Sequence, residues 1–293
     1  VTDQASSPYT TLENAFAEWA RTQPALHAAL VIGSRARIDH PADLWSDLDL
    51  IVFTTSASIY AANVDWLKPF GQIELSILDH TGRGDPEWLV VYENGLKIDI
   101  AFATIDLAVT PNLQAMIEAS PYQDVIRRGA RVLFDKSSEQ PSLRLDPIKP
   151  APLPTADQFT ALLHDAWLDA LRAAKFTQRG DLWRAKRMCD GDLKQHLLTL
   201  LEWHTLTLDP ARDVWHDGRF MDEWADPRLL ARLPHTFALY DADDVWRALF
   251  ATLDLMRSLS IEIAARLGCA YPLDVDRRLA QWLHAIRIEQ GSP

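Results

Sequence analysis

Asp47 and Asp49 flank a single leucine in the run Ser46-Asp47-Leu48-Asp49-Leu50. On a strand, residues two apart share a face with Cα atoms ~6.5 Å apart, so both carboxylates project together while Leu48 and Leu50 turn to a core. Carboxylates this close repel unless a cation lies between them. Hard oxygen donors suit Mg²⁺, which takes one or two carboxylates plus substrate phosphates. Upstream, Gly33-Ser34-Arg35 ends an apolar strand and opens an expected helix. The glycine would let backbone approach a phosphate, the helix start would add N–H donors, and Arg35 would neutralise a polyphosphate. Downstream, Asp99 alternates with Ile98 and Ile100, so it too faces out of an apolar strand. Three carboxylates on neighbouring strands beside a Gly-Ser cradle suit nucleotidyl transfer, with a metal on the phosphates and a carboxylate taking the proton of an attacking hydroxyl. An Asp-x-Asp pair by itself is more often a solvated strand face, and Gly-Ser alone is uninformative. The ordered combination carries the specificity.

The elements that must position these groups can be read along the chain. Residues 12–21 predict an amphipathic helix ending near Pro24, and residues 28–32, 48–53 and 73–78 predict strands. Residues 88–93 and 96–102 flank Asn94-Gly95, a pair suited to the positive φ angles of a type I′ hairpin turn. Residues 116–128 predict a helix and 131–134 a further strand. Pro147, Pro150, Pro152 and Pro154 then make a stiff extended connector. Beyond it the patterns are helical: 159–175, a long helix over 181–203 with Gly191 inside it, a helix begun by Asp241 and ended by Gly268, and a last one over 274–286. The expected fold is α+β: an N-terminal domain, 1–146, with a small mixed β-sheet flanked by helices, a linker at 147–154, and a C-terminal α-helical bundle at 155–293.

Composition narrows the partners. With 293 residues, 48% of them hydrophobic and 24% charged, the chain can bury a sizeable core without staples. Its net charge is −12, of which −8 lies in residues 1–154. Such a protein is a poor general binder of nucleic acid and attracts cations. Cys189 and Cys269 have no spacing that suggests a disulfide framework or zinc knuckle. The start Val1-Thr2-Asp3-Gln4 lacks the features of a signal peptide, and no apolar run reaches the ~18 residues of a membrane span. The expectation is a cytoplasmic protein, monomeric, engaging neither membrane nor nucleic acid.

Gly33-Ser34 with Asp47 and Asp49 resembles the polymerase-β-like nucleotidyltransferase superfamily. More closely, the chain resembles the aminoglycoside 6-adenylyltransferase (streptomycin adenylyltransferase) family. That likeness rests on Phe70-Gly71-Gln72-Ile73, on Tyr92-Glu93-Asn94-Gly95-Leu96-Lys97-Ile98-Asp99-Ile100, on Asp181-Leu182-Trp183-Arg184-Ala185-Lys186, on Asp190-Gly191-Asp192-Leu193-Lys194, on the segment 240–246 and on Tyr271-Pro272. The resemblance implies an N-terminal nucleotidyltransferase domain that transfers AMP from ATP to an aminoglycoside hydroxyl with Mg²⁺ and releases pyrophosphate. It implies that Asp47 and Asp49 are metal ligands and that Asp99 is the general base and a candidate further ligand. Gly33, Ser34 and Arg35 would hold the triphosphate, Lys194 would reach the phosphates from the helical half, and Tyr240 would lie near the nucleotide. The loop 79–85, with Gly82 and Gly84, departs from the family's usual wording and leaves the acceptor open.

A polycationic, polyhydroxylated acceptor needs carboxylates and flat apolar faces. Glu87, Glu93, Asp181 and Glu202, with Trp88, Trp183 and Trp203, are the candidates. Their plainer readings are a hairpin surface for Glu93, a helix cap for Asp181 and bundle packing for Trp183 and Trp203. Other acceptors, such as a lincosamide, another hydroxylated metabolite or a protein side chain, stay open. So does a degenerate, non-catalytic binding module of the same fold.

Overall fold

The inner strands are apolar and buried over most of their length, which is what a sheet covered on both faces requires. The computed structural model describes residues 7–139 and 142–289, so the Val1–Gln4 reading lies outside it. In the first of two compact units, residues 1–149, six strands form one mixed sheet. They are β1 (Leu26–Ile32), β2 (Leu48–Thr54), β3 (Ile73–His80), β4 (Pro86–Tyr92), β5 (Lys97–Thr104) and β6 (Ala130–Asp135), in the spatial order β3-β4-β5-β2-β1-β6. β2 and β5 run parallel; the other neighbours are antiparallel. The fold is α+β, as the sequence implies.

One face of the sheet carries Leu48, Leu50, Val52, Ile98, Ile100, Phe102, Trp88 and Val90, packed on Leu12, Phe16 and Ala20 of helix α1 (Pro8–Thr22), on α2 (Ala57–Ala61) and on the turn at Asp65–Phe70. An aromatic cluster seals it, with Trp19 stacked on Trp66 at 4.9 Å and Tyr60 on Phe102 at 5.6 Å. The other face is covered over only part of its area. Ala28, Leu30, Ile51, Phe53, Ala101 and Ala103 lie under α3 (Leu113–Ala119) and α4 (Gln123–Arg127). The single helix expected over 116–128 is broken in two because Pro121 has no N–H to continue it. The ends of β2 and β5 that emerge from this cover hold the acidic residues.

The second unit, residues 150–293, is helical. Its elements are α5 (Ala156–Gln178), α6 (Leu182–Arg187), α7 (Leu193–Leu208), α8 (Met221–Trp224), α9 (Pro227–Leu230), α10 (Ala242–Leu267) and α11 (Leu273–Glu289). Caps match the sequence signals: Thr155 and Gln158 form a capping box on α5, and Asp241 accepts from the Asp244 N–H at the start of α10. Gly268 ends α10 at φ 69°. The long helix expected over 181–203 is instead α6 and α7 joined by a π-helical turn, Met188–Asp192, spanning Gly191. Among the described residues, no helix is long and apolar enough to cross a membrane.

Candidate active site

Strand parity and register bring the carboxylates together. Asp49 on β2 is the register partner of Asp99 on β5. Asp47 immediately precedes β2 and Lys97 opens β5, so all four residues sit at one end of the parallel pair. The Lys97 ammonium donates to Asp99 Oδ2 at 2.8 Å and to Asp47 Oδ2 at 2.9 Å. Burial works to lower the Lys97 pKa, but its hydrogen bonds to Asp99 and Asp47 outweigh this and raise it, so the ammonium stays charged. For Asp99 burial is the main cause and raises the pKa; Lys97 pulls it back and Asp47 raises it further. Glu87 on β4, two positions along the same face, is also raised, by burial first and then by Asp99, Asp49 and Asp79. Four carboxylates therefore share one field, with Lys97 as their counter-charge.

Gly33 closes the site from β1. Its φ is +66°, and a Cβ built there would lie 2.5 Å from Asp49 Oδ2. Glycine is required twice over, by backbone conformation and by the carboxylate against it. Ser34 is half-buried beside it. The helix expected to open here is a three-residue 3₁₀ turn, Gly33–Arg35, ended by Ala36 at φ −121°, so no helix dipole serves the site. Arg35, expected on a triphosphate, points its guanidinium at the chain itself. It donates from Nε to Asp47 O at 2.9 Å and from Nη2 to Ser46 O at 2.7 Å, and it stacks 3.6 Å over the Tyr9 ring. Tyr9 Oη in turn accepts the Lys97 backbone N–H at 3.2 Å. Arg35 and Tyr9 thus pin the segments that carry Asp47 and Lys97.

Whether a divalent ion fits can be judged from the donors. The oxygens are hard carboxylates, Asp99 Oδ1 is buried without a hydrogen-bond partner, and the missing Cβ of Gly33 lets the Asp49 carboxylate lie against the backbone there. Among the described residues, however, no three His, Cys, Asp or Glu side chains converge as a metal cage. Asp47 and Asp99 are turned to Lys97 instead. The set fits an ion that takes one or two carboxylates and completes its shell with water and phosphates, which is the habit of Mg²⁺.

Trp88 is a correction. It alternates with Glu87, so it must face the opposite side of the sheet, where it is 7% exposed and donates Nε1–H to Tyr60 O at 2.8 Å. It belongs to the core. Glu93 is exposed on the hairpin turn, where Asn94 and Gly95 adopt φ 64° and 76°.

In the helical unit, Trp183 and Tyr240 are both exposed and meet edge to face at 6.4 Å. Asp181 precedes α6 and makes no capping bond; it lies 3.5 Å from Arg184. Lys194 turns inward: it donates to Cys189 O at 2.7 Å and Thr252 Oγ1 at 2.9 Å, over the Phe237 ring, and burial lowers its pKa. Glu202 lies two turns further along α7, about 12 Å away along the helix axis. It is half-buried, and burial with the nearby Asp217 charge pushes its pKa up to about 7. Trp203 packs against Phe159.

Sequence reasoning passed over two residues of this arrangement. Lys97 carried a signal, since it stands two before Asp99 and must share its face. Tyr9 carried none, because its role depends on how α1 lies on the sheet.

Comparison with known proteins makes the class definite: this is a nucleotidyltransferase enzyme. The profile of the streptomycin adenylyltransferase family matches residues 9–286, and the chain belongs to that family. It is 22% identical over 284 residues to an aminoglycoside 6-adenylyltransferase of Bacillus subtilis strain 168, covering 92% of this chain and 95% of that one. It is 23% identical over 275 residues to one of Campylobacter jejuni, covering 90% and 91%. A crystal structure of an aminoglycoside 6-adenyltransferase from Bacillus subtilis aligns over 96% of this chain and 98% of that chain at 18% identity, with a TM-score of 0.46.

Proposed function

We propose that this enzyme transfers AMP from Mg²⁺-ATP to a hydroxyl of an aminoglycoside of the streptomycin type and releases pyrophosphate. The observation that carries the reading is the register pairing of Asp49 with Asp99, with Asp47 drawn to the same point by Lys97. Asp47 and Asp49 would hold the divalent ion, and Asp99 stands beside them on β5. When bound, that ion neutralises the charge gathering on the phosphates. Asp99 takes the proton of the acceptor hydroxyl as its oxygen attacks the α-phosphorus. Its raised pKa makes it a stronger base than an exposed aspartate. Gly33 and Ser34 give the triphosphate a close approach to backbone, and Arg35 serves by fixing Asp47.

An acceptor rich in ammonium groups is favoured by the net charge of −12 and by Glu87 beside the reacting carboxylates. Glu93 adds negative charge on the hairpin turn. Within the helical unit, Asp181 and Glu202 are acidic candidates for an ammonium, the exposed Trp183–Tyr240 pair offers aromatic faces to sugar or base, and Lys194 would have to leave Cys189 and Thr252 before it could meet a phosphate.

The test is pyrophosphate release from Mg²⁺-ATP with streptomycin as acceptor, wild type against Asp99→Asn. Release that depends on streptomycin and is lost in the variant supports reaction and base together. Mg²⁺-dependent ATP binding with no release would keep the transferase and reject this acceptor. Absence of both would reject catalysis and favour a binding module.

A further inference from the structure

Lys97 has no task in the transfer chemistry just described, yet it occupies the middle of the site. Its ammonium bridges carboxylates from two segments, Asp47 before β2 and Asp99 on β5, at 2.9 and 2.8 Å. The bridge is held from behind. β5 is paired on both sides, by β4 and β2, and the Lys97 N–H is bonded to Tyr9 Oη. A lysine so placed is not a solvated strand-end charge; it is 34% exposed and wedged between two acids.

The position of the ammonium has a consequence for metal binding. A second divalent ion bridging Asp47 Oδ2 and Asp99 Oδ2 would need both oxygens at about 2.0–2.1 Å, and the ammonium stands between those two oxygens. A divalent ion and an ammonium repel each other at such separations, and the space holds one of them.

We propose that Lys97 is the resident second cation of this site: its ammonium takes the place between Asp47 and Asp99, and the nucleotide-loaded chain binds a single divalent ion, on Asp47 and Asp49. The inference rests on the nucleotidyl-transfer reading and deepens it. Lys97 becomes a positioning residue that holds Asp99 toward the acceptor without a metal on that carboxylate.

The experiment counts ions. The full chain is titrated with Mn²⁺ in the presence of α,β-methylene-ATP, which cannot be cleaved at the reacting bond, and bound Mn²⁺ per bound nucleotide is read by electron paramagnetic resonance. Wild type is expected to hold one ion. Lys97→Met is expected to hold two, the second bound at least about tenfold more tightly than any second ion on wild type, and Lys97→Arg is expected to hold one. Two ions on wild type, or one on a Lys97→Met chain whose circular-dichroism melt shows it folded, overturns the proposal. If Lys97→Met does not fold, wild type and Lys97→Arg decide, and two ions on either overturns it. Failure of wild type to bind Mn²⁺ and the analogue at all removes the transfer reading itself, a result distinct from a count of two.

Discussion

Asp49 and Asp99 are register partners across the parallel pair β2 and β5, each at a half-buried position between buried apolar neighbours. The pairing explains why the site exists at one end of the sheet only. The cover of α3 and α4 extends over Ile51, Phe53, Ala101 and Ala103, and the same two strands emerge from it at Asp49 and Asp99. Burial raises the Asp99 pKa, and Lys97 keeps the cluster from dispersing.

Gly33 is the most sensitive backbone position of this cluster. Alanine there meets Asp49 Oδ2 at 2.5 Å and must hold φ at +66°, a conformation that costs an L residue about 1–2 kcal/mol. Gly33→Ala is expected to lower the melting temperature and to cut pyrophosphate release at least about tenfold, since Asp49 must move. A melt together with a turnover assay checks it. Wild-type turnover in the variant would show that Asp49 tolerates displacement.

Arg35 separates two roles by kinetics. As a positioning residue it holds the Ser46 and Asp47 carbonyls, and Arg35→Lys keeps the charge while losing the planar fork. The expected outcome is a large fall in kcat with KM for ATP changed little, and a stability loss of about 1–3 kcal/mol for the charged hydrogen bonds. A rise in KM alone would return Arg35 to the triphosphate. Tyr9→Phe, which keeps the ring under Arg35 and removes the acceptor for the Lys97 N–H, should show the same pattern more weakly.

What the sequence revealed of this site was what parity and spacing can carry. Asp47, Asp49 and Asp99 could be placed on one face because alternation with Leu and Ile fixes direction along a strand. The same rule, carried to Glu87, places Trp88 in the core, and carried to Lys97 it finds the counter-charge. Register across strands, which pairs Asp49 with Asp99, and the stacking of Tyr9 on Arg35 depend on packing between distant segments. Local chemistry also had a limit at Gly33-Ser34: the same two residues can open a helix or a 3₁₀ turn, depending on the backbone of the next few positions, and Ala36 at φ −121° closes the turn.

Lys194 offers a choice between two readings. Its side chain is 9% exposed, and the ammonium is bonded to Cys189 O and Thr252 Oγ1 inside the bundle. Lys194→Met is therefore expected to destabilise by about 1–3 kcal/mol, because the buried carbonyl and hydroxyl lose their donor. If the lysine also swings to phosphate, KM for ATP rises in a variant still folded at the assay temperature. Calorimetry and ATP-dependent kinetics on one preparation separate the effects, and unchanged KM would confine Lys194 to structure.

Glu202 gives the helical unit a pH response that can also test its proposed place beside the acceptor. Burial and the nearby Asp217 charge push its pKa up to about 7 in the folded chain, above the ordinary value of 4.5. A raised carboxyl pKa means that the folded state favours the protonated acid. Stability is unaffected by the group below pH 4.5, falls as pH rises toward 7, and stays reduced above that. With the group partly exposed, screening brings the loss to roughly 1–2 kcal/mol. Glu202→Gln, neutral at every pH, is expected to match wild type near pH 5 and to melt higher at pH 8. A bound ammonium beside Glu202 would stabilise the carboxylate and recover part of that loss. Streptomycin is therefore expected to raise the wild-type melting temperature more at pH 8 than at pH 5, with the difference absent in Glu202→Gln. An equal rise in both proteins at both pH values would remove Glu202 from the acceptor site and leave its raised pKa as a consequence of packing alone.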